Sequence, residues 1–187
     1  MIFYTSDLHI GHKNALRFDN RPFETIDEME RTIIERWNNK VSDSDSVYIL
    51  GDVFYNYKKD PKTFLKSLKG HLNLITGNHD YGLIMNEDAV SCFESVNNLK
   101  QIIDNDRRVV MCHFPIIAWN KSHFGSYHVY GHVHSKIDED TVYMMKKEKA
   151  FNAGCMINNY EPCTLEELEE NNRIFREKAL TEQLRYE

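Results

Sequence analysis

The sequence predicts a layered α/β/β/α sandwich, two mixed β-sheets with helices on the outside. Two observations carry that expectation. Strand and helix patterns alternate from Ile2 to Thr76, and from Lys100 to Ala153 short strand candidates succeed one another closely. Alternation and then a run of strands suits stacked sheets covered by helices.

In chain order, Ile2 to Thr5 reads as a first strand. Thr25 and Glu28 make a capping-box pattern ahead of Ile26, Met29, Ile33, Ile34 and Trp37, which share one helical face. Val47 to Leu50 is a short apolar strand that ends at Gly51. Asp60 and Pro61 open a second helix with Phe64, Leu65 and Leu68 on its apolar side and Gly70 beyond its end. Leu72 to Thr76 is the next strand. The later strand candidates are Lys100–Asp104, Arg108–Cys112, Tyr127–Tyr130, Lys136–Asp138, Val142–Met145 and Ala150–Ala153. A last helix starts at Thr164, is capped by Glu167, and carries Leu165, Leu168, Ile174 and Phe175.

Composition narrows the class. With 187 residues and no repeat or linker, residues 1–187 are expected to form one domain with a real core. Hydrophobic residues at 41% and charged residues at 28% exclude a disordered tail. No apolar run approaches the roughly 20 residues of a membrane span. "MIFYTSDLHI" passes straight into a strand without a basic leader, so a cytoplasmic location and no membrane partner are expected. Cys92, Cys112, Cys155 and Cys163 lack C-x-x-C spacing and read as buried free thiols. A net charge of −6 argues against broad binding to nucleic-acid backbone.

The nine histidines concentrate near turns, and the polar residues at the strand ends explain why. Asp7 and His9 come after the first strand, and Asp52 after Gly51. Asn78, His79 and Asp80 come after Gly77 in "LITGNHDYG". His113 comes after Arg108–Cys112, and His132 and His134 after Gly131. In layered α/β folds the carboxyl ends of parallel strands open on one crevice. Delivered to one edge, these oxygen and nitrogen donors exceed the needs of one metal ion and suit two ions sharing a carboxylate. Glycines before Asp52, Asn78 and His132 permit sharp turns and close backbone approach.

The motifs "SDLH", "LGDV", "TGNHD", "CHFP" and "YGHVH" resemble those of the calcineurin-like metallophosphoesterases, from Asp7 to His134. "TSDLHIGHKN", "RFDNRPF" and "FNAGCMINNYEP" extend the likeness to short bacterial and phage members. One departure is Tyr55, where many members carry an acidic or amide residue. The resemblance implies the calcineurin-like phosphoesterase fold, with one metal on Asp7, His9, Asp52 and His134. It puts a second metal on Asp52, Asn78, His113 and His132, so that Asp52 bridges.

It further implies hydrolysis of a phosphodiester or phosphomonoester by in-line attack of a metal-bridging hydroxide. His79 protonates the leaving oxygen, and Asp80 orients the His79 ring. Imidazole and carboxylate donors suit Mn, Fe, Zn or Ni. Two such ions against Asp7 and Asp52 leave roughly two positive charges, which attract phosphate to an acidic protein. Arg17, Arg21 and His123 are candidates for substrate contact. The expected partner is a small phosphorylated substrate, with nucleotides and nucleic-acid ends among the candidates. A scaffold protein on the same fold is the alternative; it predicts lost ligands, and here every position is filled. Residue types alone also leave open another dinuclear hydrolase, such as an amidase.

Overall fold

A computed structural model describes residues 1–183. The first half forms β1 (Ile2–Thr5), α1 (Ala15–Phe18), α2 (Ile26–Lys40), β2 (Ser46–Ile49), α3 (Pro61–Lys66), β3 (His71–Ile75), α4 (Tyr81–Ile84), α5 (Glu87–Val90) and β4 (Ser95–Asn97). The strands lie in the order β1-β2-β3-β4, all parallel. Each crossover contains helix, as a parallel pair requires. The second half forms β5 (Leu99–Asp104), β6 (Arg107–Cys112), β7 (Tyr127–Tyr130), α6 (Glu139–Met145), β8 (Ala150–Asn152) and α7 (Leu165–Gln183). Its sheet runs β5-β6-β7-β8 and is mixed. The β5–β6 pair is an antiparallel hairpin turning on Asn105 and Asp106, both left-handed (φ 47° and 64°), and the other pairs are parallel.

Alternation along the strands creates the layers. Phe3, Val47, Ile49, Leu72 and Leu74 face one way and meet Met29, Ile33 and Trp37 of α2 and Phe64 and Leu65 of α3. Tyr4, Tyr48 and Ile75 face the other way, against Val109, Met111, Val129 and Phe151 of the second sheet. Val110 and Tyr130 on that sheet's far face pack with Trp119 and Met144. Leu165 and Leu168 of α7 join the core between the sheets. The α/β/β/α sandwich is therefore the observed architecture.

The expected caps form. Thr25 Oγ1 accepts the Glu28 N–H, Asp60 accepts the N–H groups of Lys62 and Thr63, and Thr164 and Glu167 cap reciprocally. Two strand expectations fail. Lys136–Asp138 is loop, and Val142–Met145 lies in α6, because Asp138 Oδ1 accepts the Thr141 N–H at 3.1 Å and starts a helix there. A short apolar run does not by itself separate strand from helix. Of the apolar residues in α7, Leu165 and Leu168 are buried and Ile174 is exposed. All four cysteines are free, but only Cys155 and Cys163 are buried. Among the described residues no helix is long and apolar enough to cross a membrane.

Candidate metal centre

The carboxyl ends of β1, β2, β3, β6 and β7 deliver their polar residues to one edge. Asp52 Oδ2 stands 3.7 Å from His9 Nε2 and 3.6 Å from His113 Nε2. His113 Nε2 is 3.1 Å from Asn78 Oδ1, and His134 Nε2 is 3.7 Å from Asp7 Oδ1 and 3.2 Å from His9 Nε2. Among the described residues two groups could hold metal ions: Asp7, His9 and His134, and Asp7, Asp52 and His113. Within each group the ligand atoms lie within 4.8 Å of one another.

The hydrogen bonds decide which way the imidazoles present their lone pairs. His113 Nδ1–H donates to the Leu50 carbonyl at 2.7 Å, and His134 Nδ1–H donates to the Asp19 carboxylate at 2.9 Å. Both partners only accept, so in its neutral form each ring turns an unprotonated Nε2 toward the carboxylates. Lone pairs and anionic oxygens facing one another at 3–4 Å ask for a cation between them. The donor set fits a divalent ion, and it contains no thiolate.

Burial shapes the titration. It raises the Asp7 carboxyl against the opposing charges of His113 and His134. It pushes His9 down to about 2, helped by the charges of His134 and Arg21, which keeps that imidazole in its ligating form. For His134, burial lowers the pKa, but the Asp19 hydrogen bond and the charge of Asp7 outweigh it and the net shift is upward.

The backbone is unusual here. Asp7, His9, Asp52, His132 and His134 all lie in the left-handed region, with φ between 49° and 72°. Each such residue costs about 1–3 kcal/mol, and such strain concentrates at functional sites. Cross-loop hydrogen bonds hold the conformation: Asp7 N–H to Gly51 O at 3.0 Å and His9 N–H to Asp52 O at 2.9 Å. Glycine is required where loops touch. A Cβ on Gly77 would lie 2.4 Å from Asp52 Oδ1, and one on Gly131 would lie 2.6 Å from Asp7 Oδ2.

Asp7, His9, Asp52, Asn78, His113 and His134 thus come together. His132 stands at the exposed rim, its ring centroid 5.2 Å from that of His113 and its backbone N–H donating to Asp7 at 3.0 Å. His79 is also at the mouth. Its Nε2 is 4.0 Å from Asp52 Oδ2, its side chain is 40% exposed, and its backbone N–H donates to Asp52 Oδ1.

Three expectations are corrected. Asp80 does not orient His79. Its buried carboxylate accepts the backbone N–H groups of Gly77, Asp52 and Val53, because the turn folds it beneath the Asp52 loop. Arg21 does not face a substrate. It is buried, donating to the carbonyls of Asp7 and Leu8 and to Asp19, where it braces the first loop from behind. His123 lines a separate cleft with Trp119 and Lys147. Arg17 is exposed on α1 and, among the described residues, makes no hydrogen bond or ion pair with the cluster.

Sequence reasoning missed Asp19 as the partner of His134, and Ser6, whose hydroxyl donates to Asp7 at 2.6 Å. Asp19 stands inside "RFDNRPF", but nothing local pairs it with a histidine 115 residues away.

The chain matches no family model. In structure it is similar to a protein of unknown function, AQ665, from Aquifex aeolicus, at a TM-score of 0.70 and 22% identity. That likeness covers 91% of this chain and 98% of that one, and it shows the fold alone. In sequence it is 29% identical over 160 residues to the Gene 66 protein of Mycobacterium phage L5, across 71% of this chain and 77% of the phage protein. It is 30% identical over 168 residues to the uncharacterized protein MJ1445 of Methanocaldococcus jannaschii, across 88% of this chain and 87% of the relative. At that identity over nearly the whole of both chains, the protein belongs to the same family as MJ1445.

Proposed function

We propose that the protein is a metal-dependent phosphoesterase of the calcineurin-like kind, acting on a small phosphodiester or phosphomonoester. The observation that carries this is the pair of imidazoles, His113 and His134, whose Nδ1–H groups are engaged outward so that both Nε2 atoms face Asp7 and Asp52. Asp7, His9, Asp52 and His134 would hold one ion, and Asp52, Asn78, His113 and His132 the other. Asp52 Oδ2, set between His9 and His113, supports its role as the shared ligand. When bound, two divalent ions would acidify a water molecule and offset charge on the phosphoryl oxygens.

The chain supplies the rest. Two carboxylates against two dications leave a positive floor for an anionic substrate. His79 would give a proton to the departing oxygen, a role its half-open position at the mouth supports. Asp80 acts from below, holding the Gly77 and Asp52 loops in register. Four free thiols accord with a reducing, cytoplasmic compartment.

The test begins with the chelated protein, to which Mn²⁺, Fe²⁺, Zn²⁺ and Ni²⁺ are returned singly while hydrolysis of bis-p-nitrophenyl phosphate and p-nitrophenyl phosphate is monitored. Metal-dependent turnover is expected, abolished in Asp52→Asn, and strongly reduced in His79→Ala with metal still bound. Absence of both metal binding and turnover defeats the reading.

A further inference from the structure

Two clefts flank the metal centre, and they differ in character. The one beside His134 includes Asp19, Lys136, Asp138 and Asp140, so it is charged and largely acidic. The one beside His79, about 530 Å³, is walled by Phe54, Tyr55, Tyr57, Asn56 and Asn86, and apart from His79 itself no ionisable acid or base lines it except the tyrosine hydroxyls. Its size lies within the range of small-molecule sites. Resting on the hydrolase reading, we infer that this cleft receives the leaving group and that the leaving group is a nucleoside.

The direction comes from His79. If that imidazole protonates the departing oxygen, the group that departs must lie on its side of the phosphorus, and His79 is a wall of the aromatic cleft. The Tyr55 ring meets the His79 ring edge-on at 5.0 Å and is itself stacked on His12 at 3.8 Å. The position where the family resemblance leads one to expect an acidic or amide side chain thus carries a braced aromatic ring at the exit from the metal centre.

The chemical class comes from the lining. A leaving group bearing a second phosphate would find no cation in the cleft. Lys59, two residues past Tyr57, is held by Asp27 at 2.7 Å and Glu30 at 2.8 Å. A small aliphatic alcohol would leave the aromatic surface unused. A base offers a flat π-face and a hydrogen-bonding edge, and aromatic side chains and amides recognise those two features. Asn86 Oδ1 caps α5 by accepting the Ala89 N–H at 3.1 Å, and among the described residues its Nδ2 has no partner, nor does the Asn56 amide.

In the reaction a water oxygen bonds to phosphorus, and the P–O bond to the nucleoside breaks with its electron pair on the nucleoside oxygen. That oxygen takes the proton of His79, which a proton of the attacking water restores. The products are a nucleoside hydroxyl and the shortened phosphate ester.

Binding is tested first without metal. Adenosine is titrated into the ¹⁵N-labelled, metal-free chain, with ribose as comparison. Adenosine should shift the amides of Tyr55 to Tyr57, Gly82 and Leu83, and ribose should not. Tyr57→Ala and Asn86→Ser, the second keeping the α5 cap, should each weaken adenosine at least fivefold with the fold checked by circular dichroism. With metal restored, adenylyl-adenosine should be cleaved with a kcat/KM at least tenfold above that for glycerophosphocholine. Turnover of bis-p-nitrophenyl phosphate without adenosine shifts overturns the leaving-group assignment and leaves the hydrolase standing. So does unaltered adenosine affinity in both variants. Adenosine binding without hydrolysis of any ester overturns the hydrolase, and the leaving-group role falls with it.

Discussion

Asp80 accepts the backbone N–H of Asp52 at 2.9 Å, and the same carboxylate also accepts from Gly77 at 2.8 Å and Val53 at 3.0 Å. One buried side chain therefore ties two loops that carry metal-ligand candidates. Burial pushes its pKa up while the three N–H bonds pull it down. Asp80→Ala leaves those donors without an acceptor, at about 1–3 kcal/mol each where water cannot reach. The expected result is a loss of about 3 kcal/mol or more in denaturant unfolding, with weakened metal binding. Turnover lost in Asp80→Asn at unchanged stability and metal content would instead return Asp80 to His79.

Asp19 sets the tautomer of His134 and also pairs Arg21, whose guanidinium is buried. Asp19→Asn keeps an oxygen for the imidazole but removes the charge. Groups that orient a metal-bound histidine in this way typically contribute 10–100-fold in affinity. Mn²⁺ affinity by calorimetry should fall at least tenfold. Asp19→Ala should also destabilise the fold, since it strands a buried arginine.

Gly131 and Gly82 make a matched pair. A Cβ at Gly131 would lie 2.5 Å from Ser6 Oγ and 2.6 Å from Asp7 Oδ2, whereas one at Gly82 would meet nothing within 4 Å. Gly131→Ala should displace the Asp7 carboxylate, weaken metal binding at least tenfold and cost about 1–3 kcal/mol. Gly82→Ala, within α4, should be neutral or stabilising by up to about 1 kcal/mol. Thermal melts with and without Mn²⁺ separate the two.

His128 should make the fold acid-sensitive away from the candidate metal centre. Its Nδ1–H donates to Val110 O and its Nε2 accepts the Ile116 N–H, both at 2.9 Å, and Trp119 stacks on the ring. Burial pushes it from 6.5 down to about 4. Because the unfolded chain binds this proton more readily, stability is full above about pH 6.5 and falls as the pH drops toward 4. The loss from this residue is at most about 3 kcal/mol. Urea midpoints measured between pH 7 and 4 should decline less steeply in His128→Gln than in the parent.

Much of the candidate site could be read without coordinates, because its residues sit directly after strands that local pattern reveals. Asp7, Asp52, Asn78, His113 and His132 each come after an apolar run, and glycines before Asp52, Asn78 and His132 mark the turns. Substrate contacts were not legible in the same way. Arg21 has the right charge in the right motif, yet its guanidinium turns inward to the Asp7 and Leu8 carbonyls. His123 lies on the loop after β6, which ends just before His113, yet that loop carries it to another cleft.

The sequence by itself determined the strand order of the motifs, the helix caps and the identity of the donor atoms, since all of these depend on neighbours within a few residues. Only the tertiary structure decided what stands behind each donor: Asp19 on His134, Leu50 on His113, Asp80 under Asp52 and Arg21 under Asp7. Those partners come mostly from distant parts of the chain. What selects them is the need to give each buried polar group a hydrogen bond once the loops have packed, and no local pattern in the chain carries that information.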